Sequence, residues 1–194
     1  DLVFMWVGDA RWPAEKEKPD LLPPSPDQPT ANKRRPADVW VGMFEGKPSC
    51  WDFAVHCPHQ IEKLYHAARD AGSAGRAYED WKRSYLDTAA ECERQGMHFY
   101  PMVFESSGAR APTCTAVLRS LAKARAVRRS ADVSRFVQYQ HETLSVYIRR
   151  ENARMLLRRL QRAPPSDAAW RRARAQAYLV GGMETHTGTQ AQTG

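Results

Sequence analysis

The sequence predicts an α/β protein: one small sheet flanked by helices, followed by an arginine-rich helical C-terminal region. Three observations carry this. Two short apolar runs, Val39-Trp40-Val41 and Cys50-Trp51-Asp52-Phe53-Ala54-Val55, flank the turn-forming stretch Glu45-Gly46-Lys47-Pro48-Ser49, in which Gly allows positive φ and Pro fixes φ and removes a ladder donor. A third apolar run, His98 to Glu105, follows stretches with helical spacing of apolar residues. Beyond Ala111 the composition turns to Arg, Ala and Leu.

In chain order, residues 1–8 read as a lone strand or the remnant of an upstream element. Residues 9–36 read as loop, because Pro13, Pro19, Pro23, Pro24, Pro26, Pro29 and Pro36 interrupt both helix and strand pairing. The hairpin follows, β-branched and aromatic as a half-buried strand pair should be. Pro58 is expected to start a helix running to about Asp70, with Ile61, Leu64, Tyr65 and Ala68 on one face, and Gly72-Ser73-Ala74-Gly75 to break it. A longer helix is expected from about Arg76 to Gln95, with Tyr78, Trp81, Tyr85, Ala89 and Cys92 at helical spacing and Gly96 as a left-handed cap. His98 to Glu105 is the next strand. Pro112 opens a helix to about Arg129, and Asp132 caps a long one to about Gln161, which Pro164-Pro165 ends. A short helix to Val180 precedes a Gly/Thr/Gln-rich tail expected to be disordered. The expected division is therefore a Pro-rich segment 1–32, an α/β core 33–110, a basic helical extension 111–180 and a tail 181–194.

The chain has 194 residues, enough for one domain with a real core. Its net charge is +7 and its pI about 9.4, a balance that favours a polyanionic partner. Cys50, Cys57, Cys92 and Cys114 lack disulfide-framework spacing, which points to a reducing intracellular setting. No stretch approaches the roughly 20 apolar residues that cross a bilayer, so no membrane partner is expected. Starting at Asp1 without a charged n-region, the chain reads as a fragment of something longer, with a signal peptide not expected.

Asp38 and Asp52 are the candidates for chemistry. A carboxylate in an apolar strand is costly unless something binds it, and one hairpin brings two of them side by side. That pairing suggests a divalent cation, and hard oxygen ligands suit Mg²⁺. Lys18-Pro19-Asp20 offers a similar proline-aspartate step, but Leu21-Leu22-Pro23-Pro24-Ser25-Pro26 after it cannot make a central strand. Cys50, His56, Cys57 and His59 lack the paired short spacing of zinc sites, and alternation sets His56 and Cys57 on opposite faces. Farther on, Arg150, Arg154, Arg158 and Arg162 recur every fourth residue on one helix face, flanked by Arg149 and Arg159. Acid partners are few nearby, so such a stripe suits phosphates without reading sequence.

An aspartate after a proline, about a dozen residues and then an acid in an apolar strand resembles the PD-(D/E)XK nuclease core. More specifically, residues 33–162 are similar to the restriction-like endonuclease domain at the C-terminal end of certain non-LTR retrotransposon polyproteins, downstream of their reverse transcriptase. Val55, Pro58 and Gln60, then Lys82 and Tyr85, then Gly96 to Glu105 with Gly108, and late Leu144-Ser145-Val146 with Arg150 to Arg154 fall in that family's order. The resemblance implies a Mg²⁺ (or Mn²⁺) site on Asp38 and Asp52 and a nuclear setting. It also implies nicking of target DNA to prime reverse transcription, with DNA, element RNA and the upstream reverse-transcriptase region as expected partners. Conventional members carry a lysine two residues after the second acid, where this chain has Ala54. The retrotransposon branch supplies it from the following helix, which implicates Lys82, with Lys63 as the fallback. Ser84 stands before Tyr85 where the branch tends to have a lysine. Gln60 matches a position near a helix N-terminus that faces phosphate, and Glu105 is a candidate for a second ion or a water, against a plain surface role. The alternatives are a nucleic-acid-binding module whose nuclease centre has decayed, and a non-catalytic helical interaction domain.

Overall fold

The computed structural model describes residues 2–23, 36–57, 69–70 and 72–162, the last four by backbone alone. The chain divides into two compact units, Asp1–Arg150 and Glu151–Gly194. The first contains the sheet. Of the second, only the end of a helix lies among the described residues. The expected helix from Pro58, the helix to Val180 and the tail lie outside them, apart from Arg69 and Asp70.

The chain opens on a helix, α1 (Leu2–Asp9), and not on a strand. The reason is legible in Val3, Trp6 and Val7, whose spacing of three and four sends all three into the core. The expected loop that follows contains a three-residue strand, β1 (Ala14–Lys16), pairing antiparallel with β2 (Val39–Phe44). β2 turns into β3 (Lys47–His56) through Glu45 and Gly46, at φ 51° and 89°. Two left-handed residues make the tight hairpin whose twist matches its strands. Lys47, Pro48 and Ser49, expected in the turn, therefore belong to β3. Pro48 is tolerated because the β2–β3 register shifts between Val41 and Phe44, and pairing to the next strand starts only at Ser49.

β4 (His98–Glu105) lies parallel to β3, from Ser49 opposite His98 to His56 opposite Glu105. The sheet order is β1-β2-β3-β4. A parallel neighbour needs a crossover, and two helices are described in it. The expected single helix from Arg76 to Gln95 is α2 (Ser73–Ser84) and α3 (Thr88–Arg94), parted by a 3₁₀ turn at Tyr85–Asp87. Leu86 and Asp87 there both have positive φ, 52° and 54°. Gly96, at φ 72°, ends α3 as expected, and the Met97 N–H bonds back to the Cys92 carbonyl at 2.9 Å.

α4 (Pro112–Arg128) and α5 (Val133–Arg162) match expectation closely. Asp132 caps α5 through the Arg135 N–H at 2.9 Å. Asp9 supplies a partner that the sequence reading missed for the α4 arginines. Its carboxylate accepts from Arg125 at 2.9 Å and Arg129 at 3.1 Å, and its carbonyl from Arg128 at 3.0 Å.

The sheet has two unlike sides. Val39, Val41, Trp51, Met102 and Phe104 join Val7, Val117, Leu118, Leu121 and Leu144 in one core. On the other side Cys50 and Phe99 join Cys92, Met97 and Leu22 in a smaller one. Alternation along β3 puts Asp52 on this second side, between Trp51 and Phe53.

Candidate active site

Asp52 lies midway along β3, facing α2. Trp51 is buried in the main core, so its neighbour in the pleat points the other way, at the helix. Lys82, near the end of α2, ion-pairs with the Asp52 carboxylate through Nζ; the two side chains are 13% and 27% exposed. These two residues were linked by the sequence through resemblance, and the fold brings them together.

Asp38 stands directly before β2. Its N–H donates to the Trp51 carbonyl at 3.0 Å and its own carbonyl accepts from Glu17 at 3.0 Å. Val39 pairs with Trp51, so the next step in register sets Asp38 across from Asp52. The Asp38 carboxylate accepts the Phe53 N–H at 2.7 Å. β2 has ended there, and the carboxylate replaces the ladder partner that β3 lacks. Asp38 borders a cavity of about 350 Å³ with Phe53, Val55 and Leu144, while Asp52 borders a groove of about 310 Å³ with Lys82, Trp81 and Phe99. The two acids thus flank β3 from neighbouring hollows.

Burial pushes the Asp52 carboxyl above its ordinary 3.8; the Lys82 hydrogen bond and charge pull it down, and the Asp38 charge pushes it up again. The net shift is upward. A carboxylate held among apolar neighbours and beside a second acid favours any added cation. Among the described residues no group of three His, Cys, Asp or Glu gathers as a metal cluster. Two carboxylates with water filling the remaining positions is a ligand set that Mg²⁺ takes.

Two further acids fix α2 above the site. Glu105 is buried, and accepts the Gly75 N–H at 3.1 Å in the first turn of α2 and the Ser107 hydroxyl at 3.3 Å. It is a capping group and not the surface glutamate set against its ligand role. Gly75 eases the approach, since a Cβ there would meet Glu105 Oε1 at 3.3 Å. Glu79, also buried, takes the Thr113 N–H at 3.3 Å at the start of α4, the Thr113 hydroxyl, and Arg83 Nη2 at 3.1 Å. A carboxylate at a helix N-terminus is favoured by the dipole and the free N–H groups. Nothing in the sequence marked Glu79, because its partner lies 34 residues away.

Gln60 and Lys63 lie outside the described residues. Ala54 stands on β3, two residues past Asp52, and among the described residues the cation paired with Asp52 is Lys82 of the helix. Arg150 and Arg158 are exposed on α5, the former stacked 5.2 Å over Tyr147. Arg154 is exposed and pairs with Glu151 at 2.7 Å. The Arg162 side chain lies outside the described residues. Of the zinc candidates, Cys50 is fully buried against Met97, His56 stacks on Tyr78 at 4.7 Å, Cys57 is exposed and His59 is outside the described residues.

Compared with known proteins, the chain matches no family model, no curated protein and no solved structure. Its chemistry rests on these residues alone.

Proposed function

We propose that this chain is a Mg²⁺-dependent (or Mn²⁺-dependent) DNA endonuclease domain of the PD-(D/E)XK type, of the kind carried by non-LTR retroelements. Its task would be to nick target DNA so that an upstream reverse transcriptase extends the 3′ end, and its setting would be nuclear. The observation that carries the reading is Lys82 reaching from α2 onto Asp52, with Asp38 across the strand. It supports the substitution of a helix lysine for the residue absent at Ala54. The acid-bearing hairpin, the helical crossover and the parallel β4 also agree with a small sheet of that type.

A bound Mg²⁺ would screen the phosphate and acidify a water. Asp52 and Asp38 would hold it, the first now paired with Lys82 and the second with the Phe53 N–H. Lys82, whose ammonium meets the Asp52 carboxylate, would be at hand to contact a phosphate oxygen. The Arg150, Arg154, Arg158 and Arg162 stripe would bind phosphates without reading bases.

The test is nicking of supercoiled plasmid in Mg²⁺. Asp52→Asn and Lys82→Ala should each lower the rate by about 100-fold or more. Cutting by Asp52→Asn at the parent rate sinks the assignment.

A second reading, a binding module without cleavage, draws on the same contact: Lys82 already neutralises Asp52. It predicts affinity for DNA that falls steeply with salt and no nicking in Mg²⁺ or Mn²⁺.

A further inference from the structure

The rings of α2 beside Asp52 have no part in the chemistry above. Tyr78 and Trp81, three residues apart, share one face of α2, and Tyr85, just past its end, continues the row by packing on Trp81. A stripe of this kind normally enters a core, yet Trp81 is 48% and Tyr85 49% exposed. Their centroids form a ladder, 5.1 Å from Tyr78 to Trp81 and 4.8 Å from Trp81 to Tyr85, tilted 30° and 34°. Tyr78 anchors its inner end by stacking on buried His56. The same three rings border the groove that contains Asp52 and Lys82. Leu86, at φ 52°, forms part of its rim. A left-handed leucine followed by a left-handed aspartate is strained backbone, which concentrates at functional sites.

Flat, half-exposed rings beside a cation suit a nucleotide, whose base offers a π face and whose phosphate offers a charge. A paired and stacked base hides both faces. We propose that Trp81 and Tyr85 stack an unpaired nucleobase, so that the strand whose phosphate reaches Asp52 and Lys82 is engaged single-stranded or locally unpaired. This rests on the phosphodiester reading above and adds the form of its substrate.

The test measures binding by the full chain in EDTA, where no cleavage intervenes. The probes are a short labelled single-stranded DNA, RNA of the same sequence and the corresponding DNA duplex. The parent should prefer the single strand. Trp81→Ala and Tyr85→Ala should each weaken single-strand binding about 10-fold and duplex binding less than about 2-fold. Trp81→Phe should keep most of the affinity, and Trp81→Leu, similar in hydrophobicity and without a π face, should lose it; circular dichroism checks that each variant is folded. Loss on RNA and DNA alike assigns the platform to any unpaired base, and loss on DNA alone to DNA. No loss on any probe, equal loss on strand and duplex, or full affinity in Trp81→Leu overturns it. A parent that shows the Trp81-dependent preference but never nicks plasmid retires the endonuclease reading and leaves the platform. Nicking that Asp52→Asn abolishes, with no effect of Trp81→Ala or Trp81→Leu on affinity, retires the platform alone.

Discussion

Toward α1 and α4 the sheet presents Val39, Val41, Trp51, Met102 and Phe104; toward α2 and α3 it presents Cys50, Asp52, His56 and Glu105. The first set packs on Val7, Val117, Leu118 and Leu121 in a continuous apolar core. The second meets a lysine, a tyrosine ring, a thiol and a helix N-terminus. Because β-strand side chains alternate, one strand serves both. Trp51 and Asp52 are neighbours in sequence and lie on opposite sides of the sheet. Stability and chemistry can therefore be perturbed separately, and the contrast gives a scale of expected effects.

Leu121→Ala strikes the apolar side alone and should cost about 2–5 kcal/mol of unfolding free energy, the largest effect here. Urea melts should show it, and the proposed Mg²⁺-dependent nicking should stay intact in whatever fraction stays folded. Glu79→Ala, on the polar side, removes the acceptor of the Thr113 N–H, while Arg83 keeps Thr113 Oγ1 at 2.8 Å and the Phe99 carbonyl at 3.4 Å; it should cost about 2 kcal/mol in the same melts. Asp38→Ala removes the acceptor of the Phe53 N–H, and should cost about 1 kcal/mol. Asp38→Asn keeps an acceptor there, so it should restore stability without restoring nicking. An Asn variant as unstable as the Ala variant would show that the charge, and not the hydrogen bond, is what β3 needs.

Asp52→Asn should have the smallest effect on stability and the opposite sign. Its folded carboxyl titrates above the ordinary 3.8, so the folded state holds the proton longer than the unfolded chain. Its contribution to stability is fully present below 3.8 and is lost as pH rises through the raised folded value. At neutral pH the Asn variant should equal or exceed the parent by under about 1 kcal/mol, and fall relative to it as the pH is taken below that window. Melts of both proteins across this range check the sign. A neutral-pH loss of several kcal/mol would mean that the Lys82 pair outweighs burial.

Much of this contrast could be read from residues in series. The hairpin, the strand at His98, the helix from Pro112 and the Asp132 cap all follow from local signals. So did the pairing of Asp38 with Asp52, since one hairpin register carries both. α1 was misread because its apolar run is continuous, and short apolar runs do not separate strand from helix unless spacing is weighed. The break at Leu86 and Asp87 went unseen because neither residue is a glycine. Glu79 and Asp9 give no signal in the sequence, and Glu105 offers there only a ligand or a surface role; each owes its role to a partner far along the chain. Trp81 and Tyr85 sat at core spacing, and only their exposure set them apart.

The order of residues alone determined the class, a small sheet with helices and a basic C-terminal half, and proposed two acids and a lysine. Tertiary structure decided that Asp52 faces the helix, that Lys82 reaches it and that the Trp81 and Tyr85 rings stay open. Periodicity in a chain says that a residue has a side, and only packing says what stands on it.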